Sequence, residues 1–355
     1  MRIVLIGYGW RSLFYYRIIK AFPERFTLVQ WVLQSDARAE QVKAIYHVET
    51  TSKVEVALAC PHDLVVLCVP AASLETSLSS LIDQGETILC ETGFTPLSLQ
   101  TLASIYARCK ASSSTILVAE QYVRYPYYQS CHALLPLLGS LTEVHVGSVH
   151  GHHATSLIRH FLGEQGNNCS ISAASRTSWV VKTGGRDSIN TEGTRIQTKR
   201  TVAVFDFADG KTGYFDFADV QYHSNIRSGH FSLRGERGEI FDETVRHLNR
   251  NNEGVIQTMQ RIEDGSWTNN PRSLRAVGFG DAYLFTNPYW PLGFNDDEIA
   301  LALCLEDACQ KKGYALAEAL QDSYLAQCIQ NSCATQTRVE TEAQIWADAL
   351  ALKAN

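Results

Sequence analysis

The 355-residue sequence contains no stretch of 18 or more apolar residues, so no membrane-spanning helix is expected. Lysine and arginine are nowhere concentrated, and the formal charge is −6. A phosphate backbone demands clustered positive charge, so nucleic acid is not the expected partner. The ten cysteines never fall in a Cys-x-x-Cys spacing. Cys68, Cys90 and Cys304 sit inside apolar runs and read as reduced, buried small hydrophobes of a cytoplasmic protein, not as zinc ligands. The apolar residues at the N-terminus are already accounted for by a first strand, so no signal peptide is expected. What remains is 45% hydrophobic and 19% charged. That is a globular composition, and the length makes two domains the natural expectation.

The chain opens Met1-Arg2-Ile3-Val4-Leu5-Ile6-Gly7-Tyr8-Gly9. A short apolar strand that breaks on two glycines one residue apart is how a first strand enters a dinucleotide-binding turn. The turn must be tight, and a Cβ would keep the pyrophosphate from the helix N-terminus. The third glycine of the pattern is replaced by Ser12, and residues 13–19 read as the following helix. Gly7, Gly9, Trp10, Arg11 and Ser12 are therefore candidate cofactor-binding residues. Apolar runs at 26–33, 63–69, 87–91 and 114–119 alternate with amphipathic stretches at 73–83 and 98–109. This predicts βαβ units and a parallel sheet over residues 1–120. Val69 ends the run at 63–69 and Pro70 follows it, where a ligand loop belongs.

The cofactor is expected to be NAD or NADP. The second strand ends Leu33-Gln34-Ser35-Asp36-Ala37-Arg38, without an acid at its tip. Gln34 would donate to a ribose hydroxyl, and Ser35 with Arg38 would hold a 2′-phosphate, so both cofactors stay open. Asp36 is expected to cap the next helix.

Residues 121–290 have a different texture. Strands are expected at 141–149, 200–207, 212–217, 229–235 and 238–241, with an Asp-Gly hairpin turn at 208–211. They predict an α/β domain built on a large open, mostly antiparallel sheet. Helices would cover one of its faces. The other, with Tyr214 and Tyr222, would be free to pair two subunits, so a homodimer or higher homo-oligomer is expected. The tail, 291–355, reads as helices packing back on the body. One starts at Asp296 and Asp297 and runs to Cys309, and others cover about 315–330 and 340–352.

Histidines concentrate at His150, His152, His153 and His160. In a helix starting near His153, His153, Ser156 and His160 share a face. His153, with an ordinary pKa near about 6.5, is the first choice for proton transfer, and His152 is the alternative if the boundary shifts by one residue. His160 is expected to pack. No cysteine or well-placed carboxylate completes a metal set with these histidines, so no metal is expected. Tyr122 and Arg124 lie just past the last strand of the first domain. Tyr122 would donate to a carbonyl, and Arg124 would clamp a carboxylate or phosphate.

The residues as a set resemble the glucose–fructose oxidoreductase and inositol dehydrogenase (Gfo/Idh/MocA) family over most of the length. The resemblance rests on the Gly7-x-Gly9 turn, the strand ending Cys68-Val69-Pro70, Cys90-Glu91 and Ala119-Glu120. It extends to His153, the Arg234-Gly235-x-x-Gly238 turn and Asn295-Asp296-Asp297-Glu298. It implies an N-terminal Rossmann domain, a second α/β domain with an open sheet, an NAD(P) cofactor and Glu91 beside it. The family's Glu-Lys-Pro motif matches Glu91, Thr92 and Gly93, so a hydroxyl stands where the family has an ammonium. Its His-x-x-Asp pair matches His153 and Ser156, so the carboxylate is gone. The expected activity is hydride transfer between NAD(P) and a small polar alcohol/carbonyl or imine. His153, Thr92 and Tyr122 would be catalytic, and Arg124, His152 and Ser156 would line the substrate. The two departures keep open a non-catalytic alternative, a nucleotide- or metabolite-binding sensor or partner subunit.

Overall fold

The computed structural model describes residues 1–185, 188–264 and 272–351. In chain order its elements are β1 (Arg2–Ile6), α1 (Trp10–Ala21), β2 (Thr27–Val32), α2 (Asp36–Tyr46), β3 (Thr50–Thr51), α3 (Val54–Leu58), β4 (Leu64–Leu67), α4 (Ala71–Asp83), β5 (Thr87–Cys90), α5 (Leu99–Ala111) and β6 (Thr115–Val118). There follow α6 (Pro126–Ala133), α7 (Leu135–Leu138), β7 (Leu141–Val146), α8 (Gly151–Leu162), β8 (Cys169–Val181), β9 (Gly184–Gly185), β10 (Ser188–Ile189), β11 (Arg195–Phe207), β12 (Thr212–Ala218), β13 (Phe231–Gly235), β14 (Gly238–Phe241), β15 (Thr244–Leu248) and β16 (Gly254–Thr258). The rest are β17 (Gln260–Asp264), β18 (Ser273–Phe279), β19 (Ala282–Thr286), α9 (Asp296–Cys309), β20 (Tyr314–Ala315), α10 (Leu316–Thr335), β21 (Val339–Glu340) and α11 (Ala347–Ala351). Among the described residues no helix is long and apolar enough to cross a membrane. The chain forms two compact units: Met1–Pro126 with Tyr289–Leu320, and Tyr127–Pro288 with the chain from Gln321 on.

The first unit is built on a seven-stranded sheet in the order β20-β6-β5-β4-β1-β2-β3. All its pairings are parallel except that of β20 with β6. β4 reads Leu-Val-Val-Leu and is buried at every position, as a strand screened on both faces requires. Strand order reverses between β4 and β1, which opens a crevice at their carboxyl ends. Helix starts are fixed by local chemistry. Ser98 caps α5, and Asn295 with Glu298 makes a reciprocal capping box on α9. The cap of α2 is Ser35, whose hydroxyl accepts from the Arg38 backbone N–H. Asp36, expected in that role, is instead the first helical residue, and its carboxylate accepts from the Ser52 hydroxyl. A side chain one residue too late cannot turn back onto the helix's own first N–H groups.

The second unit carries a nine-stranded sheet, order β16-β15-β14-β13-β7-β12-β11-β8-β21. Only the β7–β12 pair is parallel. Val144 and Val146 of β7 and Phe215 and Phe217 of β12 are buried, and α8 packs on β7 and β12. The contact over Gly213 is close: a Cβ there would stand 2.5 Å from Ile158 Cγ2. Period-2 alternation then sends Glu143, His145, Tyr214 and Asp216 to the other face.

One strand here has no signal in the sequence, and two expectations change. β8 gives no alternating signal, because Ser170, Ser172, Ala173, Ala174 and Ser175 are small on both faces. It nevertheless pairs with β11 along its whole length, Cys169 to Val181. The tail helix expected from residue 340 is replaced by β21, which covers the outer edge of β8. Thr341 fixes that pairing, its hydroxyl accepting from the Cys169 N–H at 2.8 Å. Only the short α11 follows, and residues 352–355 lie outside the described residues. Tyr222 does not share a face with Tyr214. It sits in the 3-10 turn Gln221–His223, with its ring 5.0 Å from that of buried Phe217.

Among the described residues, a few ion pairs are buried. In the second unit Arg159 of α8 and Asp322 of α10 are 3% and 1% exposed, with Nη1 and Oδ1 2.5 Å apart. The Arg159 Nε also donates to the carbonyls of Glu164 and Gln165 at 3.2 and 3.1 Å. Thr155 donates to the Asp322 carbonyl at 3.0 Å.

Candidate functional site

The turn after β1 is held from both sides of the crevice. Gly7 has φ +104°, and a Cβ on it would lie 2.1 Å from the Cys68 carbonyl oxygen at the end of β4. Its N–H donates to Val32 O at 3.0 Å, and its carbonyl accepts from Trp31 Nε1 at 2.7 Å. Only glycine satisfies that backbone and that gap. Gly9 precedes α1 and has open space where a Cβ would be. The first turn of α1 holds no acidic residue, so its positive end is left for an external anion. Ser12 is fully buried, and its hydroxyl accepts the Gly9 N–H at 3.2 Å. A small side chain thus serves at the third glycine position. Trp10 is exposed. Val69 and Pro70 border the crevice after β4, and Pro70 precedes the first residue of α4. These residues fit a dinucleotide.

At the end of β2, Gln34, Ser35 and Arg38 are all exposed. The Arg38 guanidinium lies 5.4 Å from the Tyr8 ring centroid and donates to Gln41 Oε1 at 3.2 Å.

Behind the turn the unit holds a compact charged cluster. Glu91, just past β5, accepts from the Tyr15 hydroxyl at 2.7 Å and stands 3.5 Å from Arg11 Nε. Arg11 Nη1 reaches Asp297 at 3.2 Å, and Tyr125 donates to the same carboxylate at 2.5 Å. Gln121, with its amide oxygen turned toward Arg11, accepts from Nη2 at 2.9 Å. Burial disfavours the Arg11 charge, but the Glu91 and Asp297 carboxylates outweigh it, and the guanidinium is held more firmly protonated than usual. Burial raises the Glu91 carboxyl, against the pull of Arg11 and Tyr15. Arg11 therefore reaches away from the turn into the protein, with its guanidinium carbon 4.1 Å from the Trp10 ring. Thr92 follows Glu91 and is half-buried.

Glu120, two residues past β6, is 2% exposed. Burial pushes its carboxyl up to about 8. That places its proton exchange in the range where an acid–base catalyst works. In the sequence Glu120 reads only as a strand end. The available signal was a carboxylate closing the apolar run Val118-Ala119 at the ligand edge of a parallel sheet. Tyr122 packs against Tyr125, ring centroids 4.8 Å apart. The Arg124 guanidinium is engaged by Asp307 of α9.

In the second unit, His150 precedes α8, which starts at Gly151, two residues earlier than expected. His153, Ser156 and His160 keep their i, i+3, i+7 spacing. His153 is 6% exposed, with its ring centroid 4.1 Å from that of His152 and 5.1 Å from that of His150. Burial first, then His153 and His150, hold His152 well below the usual imidazole range, so it is a neutral ring at pH 7. His150 Nδ1 lies 2.8 Å from the Tyr222 hydroxyl. Ser156 is fully buried, and its hydroxyl has no hydrogen-bond partner among the described residues. His160 packs beside His132, with ring centroids 5.4 Å apart.

Residues 1–120 match the model of the GFO_IDH_MocA oxidoreductase family, described as having an NAD-binding Rossmann fold. The likeness to this family's model covers the N-terminal domain. Its cofactor class is NAD or NADP. Solved structures extend the likeness over nearly the whole chain. GenD2 from gentamicin A biosynthesis, in complex with NAD, is 16% identical over 97% of both chains, with a TM-score of 0.64. An NAD-binding oxidoreductase from Klebsiella pneumoniae is 13% identical over 97% of this chain and 100% of its own, TM-score 0.67. Levoglucosan dehydrogenase with NADH and levoglucosan is 14% identical over 96% and 99%, TM-score 0.67. At such identities these relatives establish the fold of both domains. No curated protein matches the sequence.

Proposed function

We propose that the chain is an NAD(P)-dependent oxidoreductase acting on a small polar alcohol/carbonyl or imine. The observation that carries this reading is the crevice between β1 and β4, with Gly7 locked open against Cys68 and the unencumbered start of α1 beyond it. When bound, the cofactor supplies the hydride chemistry at its nicotinamide ring. The chain's own residues do the rest. Gly7, Gly9 and the α1 N-terminus receive the pyrophosphate. Ser35 and Arg38 meet a 2′-phosphate, with Gln34 beside them, which favours NADP. Glu120 holds a proton at its carboxyl, and Thr92 and Tyr122 offer hydroxyls that orient an oxygen or nitrogen. His153, with His152 and Ser156 nearby on α8, remains a proton-transfer candidate on its chemistry alone. Arg124 would have to leave Asp307 to clamp a substrate.

The first test is titration with NADH and NADPH, followed by energy transfer from Trp10 and Trp31. Binding is expected, tighter for NADPH. Failure of both at ~1 mM, an affinity near the weak limit of specific recognition, sinks the reading. Arg38→Ala should weaken NADPH by about tenfold, roughly one charge-assisted contact, and leave NADH nearly unchanged. Equal losses for both would remove Arg38 from the 2′-phosphate site.

The acid form of Glu120 disappears as pH rises through about 8. If it donates the proton in carbonyl reduction, kcat/KM falls above that pH, and Glu120→Gln abolishes this limb of the profile. A limb that survives the substitution assigns the proton to another group.

Thr92 and Ser156, standing where the family has lysine and aspartate, favour the second reading, a nucleotide-binding sensor or partner subunit. It is adopted if NAD(P)H binds but no carbonyl or imine in a broad panel is reduced. A homodimer or higher homo-oligomer also remains our proposal for the assembly, and a single monomeric species on sedimentation at tens of micromolar would overturn it.

A further inference from the structure

The sheet face opposite α8 carries a side-chain group that the oxidoreductase reading does not use. His145 lies on β7 and Asp216 on the neighbouring strand β12. His230 immediately precedes β13, opposite Gly147, whose N–H donates to the His230 carbonyl at 2.8 Å. Pairing of β7 with both strands brings His145 beside Asp216 and beside His230, which is 85 residues further along the chain. One donor atom from each lies within 4.8 Å of the other two. The two imidazoles meet nearly at right angles, with interplanar angle 82°, and their Nε2 atoms are 3.0 Å apart. Two imidazole nitrogens bound to one ion at usual metal–nitrogen lengths stand about 2.9–3.3 Å from each other, for angles between square and tetrahedral.

The surroundings accommodate this geometry. A Cβ on residue 147 would come within 2.5 Å of His230 Cε1, so glycine there makes the space the ring occupies. Phe241 stacks on the outer side of His230, with interplanar angle 15°. Arg200 engages both oxygens of Asp216, its Nε donating to Oδ1 at 2.6 Å. Each carboxylate oxygen keeps a lone pair for a further partner. The histidines border an open cavity of about 610 Å³, which Tyr214, Ser232 and Arg234 also line.

We propose that His145, His230 and Asp216 form a binding site for a divalent transition metal of the zinc class. Two imidazoles and one carboxylate are the donor set that such ions take, and the cavity leaves the remaining coordination position to water or a small anion. This assignment replaces the expectation of a metal-free chain. It is independent of the nucleotide crevice, which lies in the other unit.

The test uses the full chain without a histidine tag, stripped with chelator and titrated with Zn(II) in a calorimeter and with Co(II) in an absorption cell. One equivalent should bind, with Co(II) showing visible bands of low-symmetry nitrogen–oxygen coordination. His145→Gln and His230→Gln should each weaken Zn(II) by about tenfold or more, since each removes one of three ligands. Asp216→Asn should also weaken it. Circular dichroism and a thermal melt check that every variant is folded, because the substituted residues all lie in the second unit. No binding by the wild type at ~0.1 mM metal, well above the affinity of built sites, overturns the proposal. So does wild-type affinity in both histidine variants, which would place the ion elsewhere, for example on His150, His152 and His153.

Discussion

Gly7→Ala is expected to abolish measurable binding of NAD(H) and NADP(H). The new methyl would lie 2.1 Å from the Cys68 carbonyl oxygen and 2.8 Å from its carbon, at a φ of +104° that L side chains rarely adopt. Neither side can yield cheaply. Gly7 is hydrogen-bonded to Val32 and to the Trp31 ring, and Cys68 N–H donates to Ile6 O at 2.8 Å. Rebuilding the turn moves the start of α1, and affinity should fall by about 100-fold or more, equivalent to roughly 3 kcal/mol. The first unit should also melt at lower temperature. Gly9→Ala is the control. Its backbone is extended, with φ −166°, and its Cβ meets nothing, so the melting temperature should hardly change and any lost affinity reports crowding of the ligand. Calorimetric titration of both variants separates the two cases. Nucleotide affinity within twofold of wild type in Gly7→Ala would show that the crevice is not the binding site.

Asp322→Ala should cost about 3–5 kcal/mol of stability, because it strands the Arg159 guanidinium without its charge partner in the interior of the second unit. Arg159 and Asp322 are both almost fully buried, so solvent cannot replace the lost carboxylate. The remaining bonds from Arg159 to the Glu164 and Gln165 carbonyls hold the side chain in place, which keeps the charge buried instead of letting it escape. Replacing both residues together, Arg159→Met with Asp322→Leu, should recover much of the loss, since no unpaired charge then remains. Urea unfolding followed by circular dichroism measures each variant. A loss below about 1 kcal/mol in the single variant would mean that water reaches the pair and screens it.

The sequence by itself determined what depends on neighbours along the chain. The glycine turn at Gly7 and Gly9, the buried run of β4, the hairpin at 208–211 and the helix start at Asn295 are all written in a few consecutive residues. Stereochemistry and periodicity act at that range, so the parallel sheet and five strands of the second sheet are legible in the sequence alone. The sequence did not determine which distant groups share a charge or a proton. Motif position makes Arg11 and Glu91 cofactor candidates, but only the structure shows that they also pair with one another and that Asp297 joins Arg11. Glu120 looks like any strand-end carboxylate until burial raises it. β8 carries no alternation, because small residues leave both faces alike, and only its long pairing with β11 makes it a strand. His145 and His230 belong to no motif. Strand order in the second sheet sets them side by side, since pairing between strands is a long-range property that local sequence pattern does not encode.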